Sequence, residues 1–346
     1  MKRILITGGT GFFGKSMLDY RLRHGRQIDA EWIIVSRNPV AFLQDRPQFA
    51  NIADVHFVRG DVLHESVLAD AMDLGQIDVI IHAAAVLDPS APADRILTAA
   101  IKGTGNVISL AQRVGCKKIL FTSSGAVYGQ RSSLASERDE CVPSTPYGRG
   151  KVAAERLLVE SGLDVKIARC FSFVGKYLDR TIYYAIGNFI QNCLDGKPIT
   201  INGDGTPLRS YLYADDLVEW LFAILERGEN GRPYNVGSDR AVSIRELAET
   251  VRDALGSKSE IIVKGMPKAG EKPSVYVPSI ERARSELGLD VKVALENAIR
   301  FSAGCTAGEA EVPVSVREVA GIIPSDIDVE QMYREHVVAA HGLDKR

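Results

Sequence analysis

The sequence predicts a doubly wound α/β fold, with a parallel sheet covered on both faces by helices and a smaller C-terminal α/β lobe. Three observations predict it: six short apolar runs of strand length, segments of helical period between most of them, and a glycine-rich turn closing the first run. Strands alternating with helices pair in parallel, and a sheet buried on both faces reads as continuous apolar stretches. The runs are residues 3–7, 32–36, 55–59, 78–82, 117–123 and 164–169.

The first run, Ile4-Leu5-Ile6, passes directly into Gly8-Gly9-Thr10-Gly11-Phe12-Phe13-Gly14 and then into a helix with a Leu18/Leu22 face. Gly8 suits a positive φ in the tight turn, Gly11 lets backbone approach a phosphate, and Gly14 lets the helix pack close to the strand. The helix N-terminus then offers unpaired N–H groups and partial positive charge to a pyrophosphate. This is the turn of a Rossmann-type dinucleotide site. The second run ends at Ser36-Arg37, where an NAD site typically carries an acid on the ribose hydroxyls. A hydroxyl and a guanidinium there suit the additional phosphate of NADP, so NADP is favoured over NAD; the alternative is a solvated Arg37.

The fifth run ends in Thr122-Ser123-Ser124-Gly125-Ala126-Val127-Tyr128-Gly129, and Tyr147-Gly148-Arg149-Gly150-Lys151 opens the helix that follows. Tyr147 and Lys151, four apart, share one helix face. A lysine ammonium lowers a phenol's pKa towards working range, and Ser124 can orient a substrate oxygen for proton exchange with Tyr147. Beyond residue 176 the pattern loosens. Tyr183–Leu194 reads as a helix, Pro198–Asn202 and Ser210–Tyr213 as strands, Asp215–Glu226 as a helix, and Val242–Leu255 as a helix with a Ser243/Glu246 capping box.

A chain of 346 residues with 45% hydrophobic content can bury one large or two modest domains. Lys+Arg 42 against Asp+Glu 44 calls for neither nucleic acid nor an anionic membrane. No apolar stretch is long enough to span a bilayer, the N-terminus reads as a strand, and the five scattered cysteines suit a reducing compartment; a cytoplasmic protein without metal is expected.

In their order and spacing these motifs resemble the extended short-chain dehydrogenase/reductase family, in particular its NAD(P)-dependent nucleotide-sugar epimerases, dehydratases and ketoreductases. The resemblance covers about residues 1–300. Its further markers are Gly60-Asp61-Val62, His82-Ala83-Ala84-Ala85, Arg169-Cys170-Phe171, Gly203-Asp204-Gly205 and Arg209–Asp216. It implies that Thr10, Phe12 and Phe13 line the cofactor with the glycines, that Asp61 and Val62 meet the adenine, that Ala83, Ala84, Ala85 and Phe171 pass close to the cofactor, and that Tyr147 and Lys151 also contact it, with Lys151 holding the nicotinamide ribose. It places Ser172, Asn188 and Arg209 on the nucleoside diphosphate sugar, with a salt bridge from Arg209 to Asp204 or Asp215 as the alternative. Lys268 and Glu271 are further candidates. Relatives commonly form homodimers through two helices per subunit, here near 93–115 and 147–162.

The expected organisation is a dinucleotide-binding domain over 1–175, joined by a later strand and helix from about 210–230, a substrate lobe over 176–300, and a C-terminal extension over 301–346. Three departures from the family pattern matter. Ala100 and Ser172 stand where asparagines are usual. Gly125 and Ala126 stand where 4,6-dehydratases carry an acidic pair and sugar-acid decarboxylases a glutamate. The expected reaction is therefore hydride transfer at a sugar carbon, C4, of a nucleoside diphosphate hexose, as an epimerase or 4-ketoreductase. The alternatives are a 4,6-dehydratase, a reductase of a small non-sugar carbonyl, and a dinucleotide-binding regulator without turnover.

Overall fold

The computed structural model describes residues 1–25, 29–64, 75–86, 91–181, 184–267, 270 and 272–305. Residues Met1–Gly304 form one compact unit. Nearly all of the extension expected from residue 301, together with Lys268 and Glu271, lies outside the described residues.

The N-terminal half runs β1 (Lys2–Thr7), α1 (Phe12–His24), β2 (Ala30–Ser36), α2 (Pro39–Asp45), β3 (Val55–Arg59), β4 (Val79–His82), α3 (Ala93–Arg113), β5 (Lys118–Ser124), α4 (Pro146–Glu160) and β6 (Asp164–Cys170). Then come β7 (Phe173–Val174), α5 (Ala185–Leu194), β8 (Ile199–Ile201), β9 (Leu208–Arg209), β10 (Leu212–Tyr213), α6 (Ala214–Arg227) and β11 (Pro233–Val236). The chain continues through β12 (Val242–Ser243), α7 (Ile244–Ala254), β13 (Ile261–Val263), β14 (Val275–Tyr276), α8 (Glu281–Leu287) and α9 (Leu295–Ala303).

Seven parallel strands make the central sheet in the order β11-β6-β5-β4-β1-β2-β3. All six apolar runs are strands of it. Alternating residues explain why these runs carry no polar face. On β1, Ile4 and Ile6 pack with Met17 and Leu18 of α1 and with Trp220 and Leu221 of α6. Leu5 packs on the opposite face with Val107 and Leu110 of α3 and Leu158 of α4. β1 thus feeds two cores, which is what a doubly wound sheet requires. The seventh strand, Pro233–Val236, falls where the sequence analysis predicts no element. The expected strand near 210–213 is shortened to Leu212–Tyr213 and pairs with β7 outside the large sheet, while the helix after it packs against that sheet.

The order reverses between β1 and β4, so the carboxyl ends of these two strands flank a crevice. A third cluster joins α5, α7 and α9 through Ile186, Phe189, Ile190, Leu247, Val251 and Ile299. α7 begins at the expected capping box: the Ser243 hydroxyl accepts from the Glu246 N–H at 3.1 Å, and the Ser243 N–H donates to Glu246 at 2.7 Å. A small sheet, β12-β9-β14, sets Tyr276 in register with Arg209. Among the described residues no helix is long and apolar enough to cross a membrane.

Candidate active site

The crevice begins at the glycine turn. Gly8 has φ +72°, and a Cβ there would lie 2.6 Å from the backbone of Ala83, just past β4. A Cβ on Gly14 would meet the Gly9 carbonyl oxygen at 2.1 Å. Gly11 is the N-cap of α1 and places no side chain on the helix N-terminus. The rings of Phe12 and Phe13 turn inward against Phe173, with Phe13 edge-on at 5.2 Å between centroids. Thr10 lies in the turn itself. This leaves a backbone cradle fitting a dinucleotide pyrophosphate, and glycine is the residue that keeps it open.

His82 locks the floor of the crevice. It is 3% exposed, with Nδ1 2.8 Å from the Thr7 hydroxyl and Nε2 3.3 Å from the Thr104 hydroxyl. The Ala84 N–H reaches the same Thr7 oxygen at 3.4 Å, and Ala85 follows at the surface. Burial, then the charge of Lys151, lowers the imidazole from 6.5 to about 3. Below pH 6.5 the unfolded chain takes up a proton that folded His82 refuses, so stability declines as pH falls from there towards 3. His82 is expected to remain neutral at pH 5, checked by its side-chain ¹⁵N shifts; a charged imidazole there would refute the assignment.

At the end of β2, Ser36 is buried and its hydroxyl accepts from the Asn38 N–H at 3.3 Å, while Arg37 is exposed. Asp61 folds its own loop by accepting from the Leu63 N–H at 2.9 Å, and the Val62 carbonyl is held by Asn106 at 2.8 Å.

β5 and α4 carry Ser124, Tyr147 and Lys151. Thr145 caps α4 by accepting from the Gly148 N–H at 3.1 Å, and Pro146 takes the first helical position. Two glycines then let α4 settle. A Cβ on Gly148 would lie 2.5 Å from the Ala126 oxygen, and one on Gly150 would lie 2.9 Å from the Ala100 Cβ. Ala100 is thus a packing partner of α4. Lys151 is 4% exposed, donates to the Thr122 carbonyl at 2.6 Å, and lies 5.7 Å from the centre of the Tyr147 ring. Burial lowers the Lys151 ammonium to about 8.

Tyr147 departs from the sequence expectation of a lowered phenol. Burial, followed by the neighbouring Tyr276, raises its pKa far above the ordinary value, against an opposing contribution from Ser124. The ammonium is directed at Thr122 rather than at the phenol oxygen, so desolvation prevails. The Tyr147 phenol is thereby held in its protonated form.

Ser124 accepts from the Ala126 N–H at 3.1 Å, and its oxygen lies 3.5 Å from the Tyr276 hydroxyl. Tyr276 has no counterpart in the sequence analysis. It arrives from β14, its ring 4.9 Å from that of Phe171, and burial carries its phenol up to about 12. The Arg209 guanidinium lies 6.0 Å from the centre of the same ring. Arg209 donates to the carbonyls of Leu208 at 2.8 Å and Ser274 at 3.3 Å, while Asp215 is bridged by Arg23 and Asp204 accepts from Thr206. Ser172 is half-buried and its carbonyl accepts from the Leu212 N–H at 3.0 Å. The Asn188 amide donates to the carbonyl of Tyr184, the N-cap of its own helix, at 3.1 Å.

The position after Ser124 is closed to an acid. A Cβ on Gly125 would stand 2.7 Å from the Phe171 ring, nearer than side-chain carbons approach one another. Phe171 is itself 9% exposed and braced between Tyr128 and Tyr276.

A glycine cradle at a strand-order reversal, beside a Ser/Tyr/Lys constellation, defines a dinucleotide-dependent enzyme class of the extended short-chain dehydrogenase/reductase type. Residues 4–237 match the NAD dependent epimerase/dehydratase family, and the chain belongs to it. Among curated relatives it is 30% identical over 312 residues to UDP-glucuronic acid decarboxylase 6 of Arabidopsis thaliana, covering 86% of each chain. Among solved structures, the UDP-glucuronic acid 4-epimerase of Bacillus cereus has a TM-score of 0.74 at 25% identity, covering 87% of this chain and 98% of that one. The dTDP-glucose 4,6-dehydratase of Streptomyces venezuelae, with NAD bound, has a TM-score of 0.74 at 26% identity, covering 87% and 96%.

Proposed function

We propose that the protein carries out NAD(P)-dependent hydride transfer at C4 of a nucleoside diphosphate hexose, as an epimerase or 4-ketoreductase. The observation that carries this reading is the Gly125–Phe171 contact beside the Ser124/Tyr147 pair: hydroxyl groups for proton exchange are present, and room for an acid at 125 is not. Dehydration requires a proton donor for the departing hydroxyl, and with Gly125 and Ala126 after Ser124 no carboxylate stands there. The glycine cradle would hold the cofactor, with Ser36 and Arg37 at its ribose, Asp61 and Val62 at its adenine, and Ala83–Ala85 and Phe171 along it. When bound, the nicotinamide supplies or accepts the hydride at the sugar carbon.

Tyr147 gives its phenolic proton to the oxygen on that carbon in the reducing direction and recovers one in the oxidising direction. Ser124 orients that oxygen. Lys151 supplies positive charge beneath the pair, and Arg209 takes the diphosphate of the sugar, with Ser172 and Asn188 at the same substrate. Relatives that act on UDP-glucuronic acid support the substrate class, while Ser36/Arg37 favours NADP over NAD. Homodimers would pair through α3 and α4, where Ile101 stands exposed, and the enzyme would work in the cytoplasm.

The test offers a nucleoside diphosphate 4-ketosugar with NADPH or NADH and, in a separate assay, a nucleoside diphosphate hexose with NADP⁺ or NAD⁺, each followed by absorbance of the reduced nicotinamide. Net loss of absorbance identifies the ketoreductase, and interconversion of 4-epimers without net loss the epimerase. Arg37→Ala is expected to weaken NADPH by about tenfold while sparing NADH. Conversion to a 4-keto-6-deoxysugar, or no sugar turnover with either cofactor, would sink the proposal.

A further inference from the structure

Beneath the catalytic groups runs a chain of buried polar contacts that the proposed reaction does not use. Glu155 on α4, one turn beyond Lys151, is 8% exposed, and Arg169 on β6 is 7% exposed. Arg169 grips the carboxylate twice, Nε to Oε1 at 3.1 Å and Nη2 to Oε2 at 2.8 Å, and the Ser123 hydroxyl donates to Oε1 as well. The remaining arm, Nη1, donates to the Tyr128 hydroxyl at 3.0 Å, which donates onward to Asn235 Oδ1 at 2.8 Å. Asn235 has no exposed surface. Its Nδ2 donates to the carbonyls of Ala135 at 2.9 Å and Ser279 at 3.1 Å, and its backbone N–H donates to Glu137 at 2.8 Å.

Two charges out of water are poor stabilisers, and an apolar pair of equal volume often serves stability better. A fully satisfied polar network instead fixes one geometry, because any shift leaves a buried group unpaired. Here each member is attached to a piece of the site. Ser123 precedes Ser124, and Tyr128 ends the turn that the Ser124 hydroxyl caps. Glu155 follows Lys151 by one helical turn, and Ser279 ends the segment carrying Tyr276.

We propose that Glu155, Arg169, Tyr128 and Asn235 are positioning residues, a buried clamp holding α4, the Ser124 turn and the Tyr276 segment in catalytic register. This rests on the reading that Ser124, Tyr147 and Lys151 carry the reaction. The reacting groups come from two separate stretches of chain and the neighbouring Tyr276 from a third, and the clamp is where those stretches are bonded to one another.

The test is Tyr128→Phe, which deletes one hydroxyl and keeps the ring against Phe171. Its kcat with ketosugar and NADPH is expected to fall about tenfold with KM nearly unchanged. Arg169→Lys, which keeps charge but loses the fork, is expected to behave alike. A readout independent of turnover is the ¹³Cζ resonance of Tyr147, assigned by its loss in Tyr147→Phe and expected to shift in Tyr128→Phe. A lower melting temperature with kcat and the resonance both unchanged would overturn the clamp. If wild-type protein turned over no nucleotide sugar, the functional reading would fail and the resonance alone would judge the clamp. Should Tyr128→Phe not fold, Ser123→Ala is read in its place by the same criteria.

Discussion

Tyr147→Phe is expected to lower turnover by about 10²–10⁴-fold while leaving binding of the reduced cofactor intact. The phenylalanine keeps the ring and its place over Lys151, so the loss isolates the proton. Burial holds that proton on Tyr147 in the free chain, which readies it for a ketone oxygen developing negative charge. Lys151, lowered to about 8, is near half-charged in mildly alkaline solution. Deprotonating it removes the cation beneath the site, so the rate should decline as pH rises through that range. Steady-state kinetics across pH with wild type and variant check both points. Activity in Tyr147→Phe within about tenfold of wild type would transfer the proton step to another group, with the Tyr276 hydroxyl next to be tested.

The second large effect belongs to Gly8. Gly8→Ala places a Cβ 2.6 Å from the Ala83 backbone at φ +72°, so it meets both conformational strain and a clash with backbone. Strain of that kind costs about 1–3 kcal/mol by itself. The clash pushes β1 and β4 apart at the crevice, and NADPH affinity is expected to fall by about 10²-fold or more. Gly25 supplies the control, since it has φ +70° and nothing within 4 Å of a Cβ. Gly25→Ala should therefore lower the melting temperature without weakening the cofactor. Fluorescence titration and thermal melting of both variants decide the matter; equal cofactor affinity in the two would remove the cradle from the binding site.

Six of the seven strands of the large sheet were legible because parallel strands buried on both faces leave uninterrupted apolar runs. Pro233–Val236 escaped notice for physical reasons. It is short, it opens with proline, and Asn235 spends its side chain on buried hydrogen bonds instead of apolar packing. Within the site, Ser124, Tyr147 and Lys151 were readable from local spacing, since a strand end and one helical turn suffice to place them. Tyr276 was not. Its strand is two residues long, and pairing with segments distant in sequence, β9 among them, delivers it to Ser124. The direction of the Tyr147 shift was also hidden, because spacing reports that a lysine is near but not that water is excluded.

The Gly125–Phe171 contact constrains how this chain can change its chemistry over time. A side chain at 125 is admissible only once the ring at 171 has shrunk or moved, and shrinking that ring first leaves a void between Tyr128 and Tyr276. Each change is harmful alone and tolerable only with the other, so their effects are strongly non-additive. A lineage carrying this pair is thereby slow to gain any side chain, a carboxylate included, at position 125.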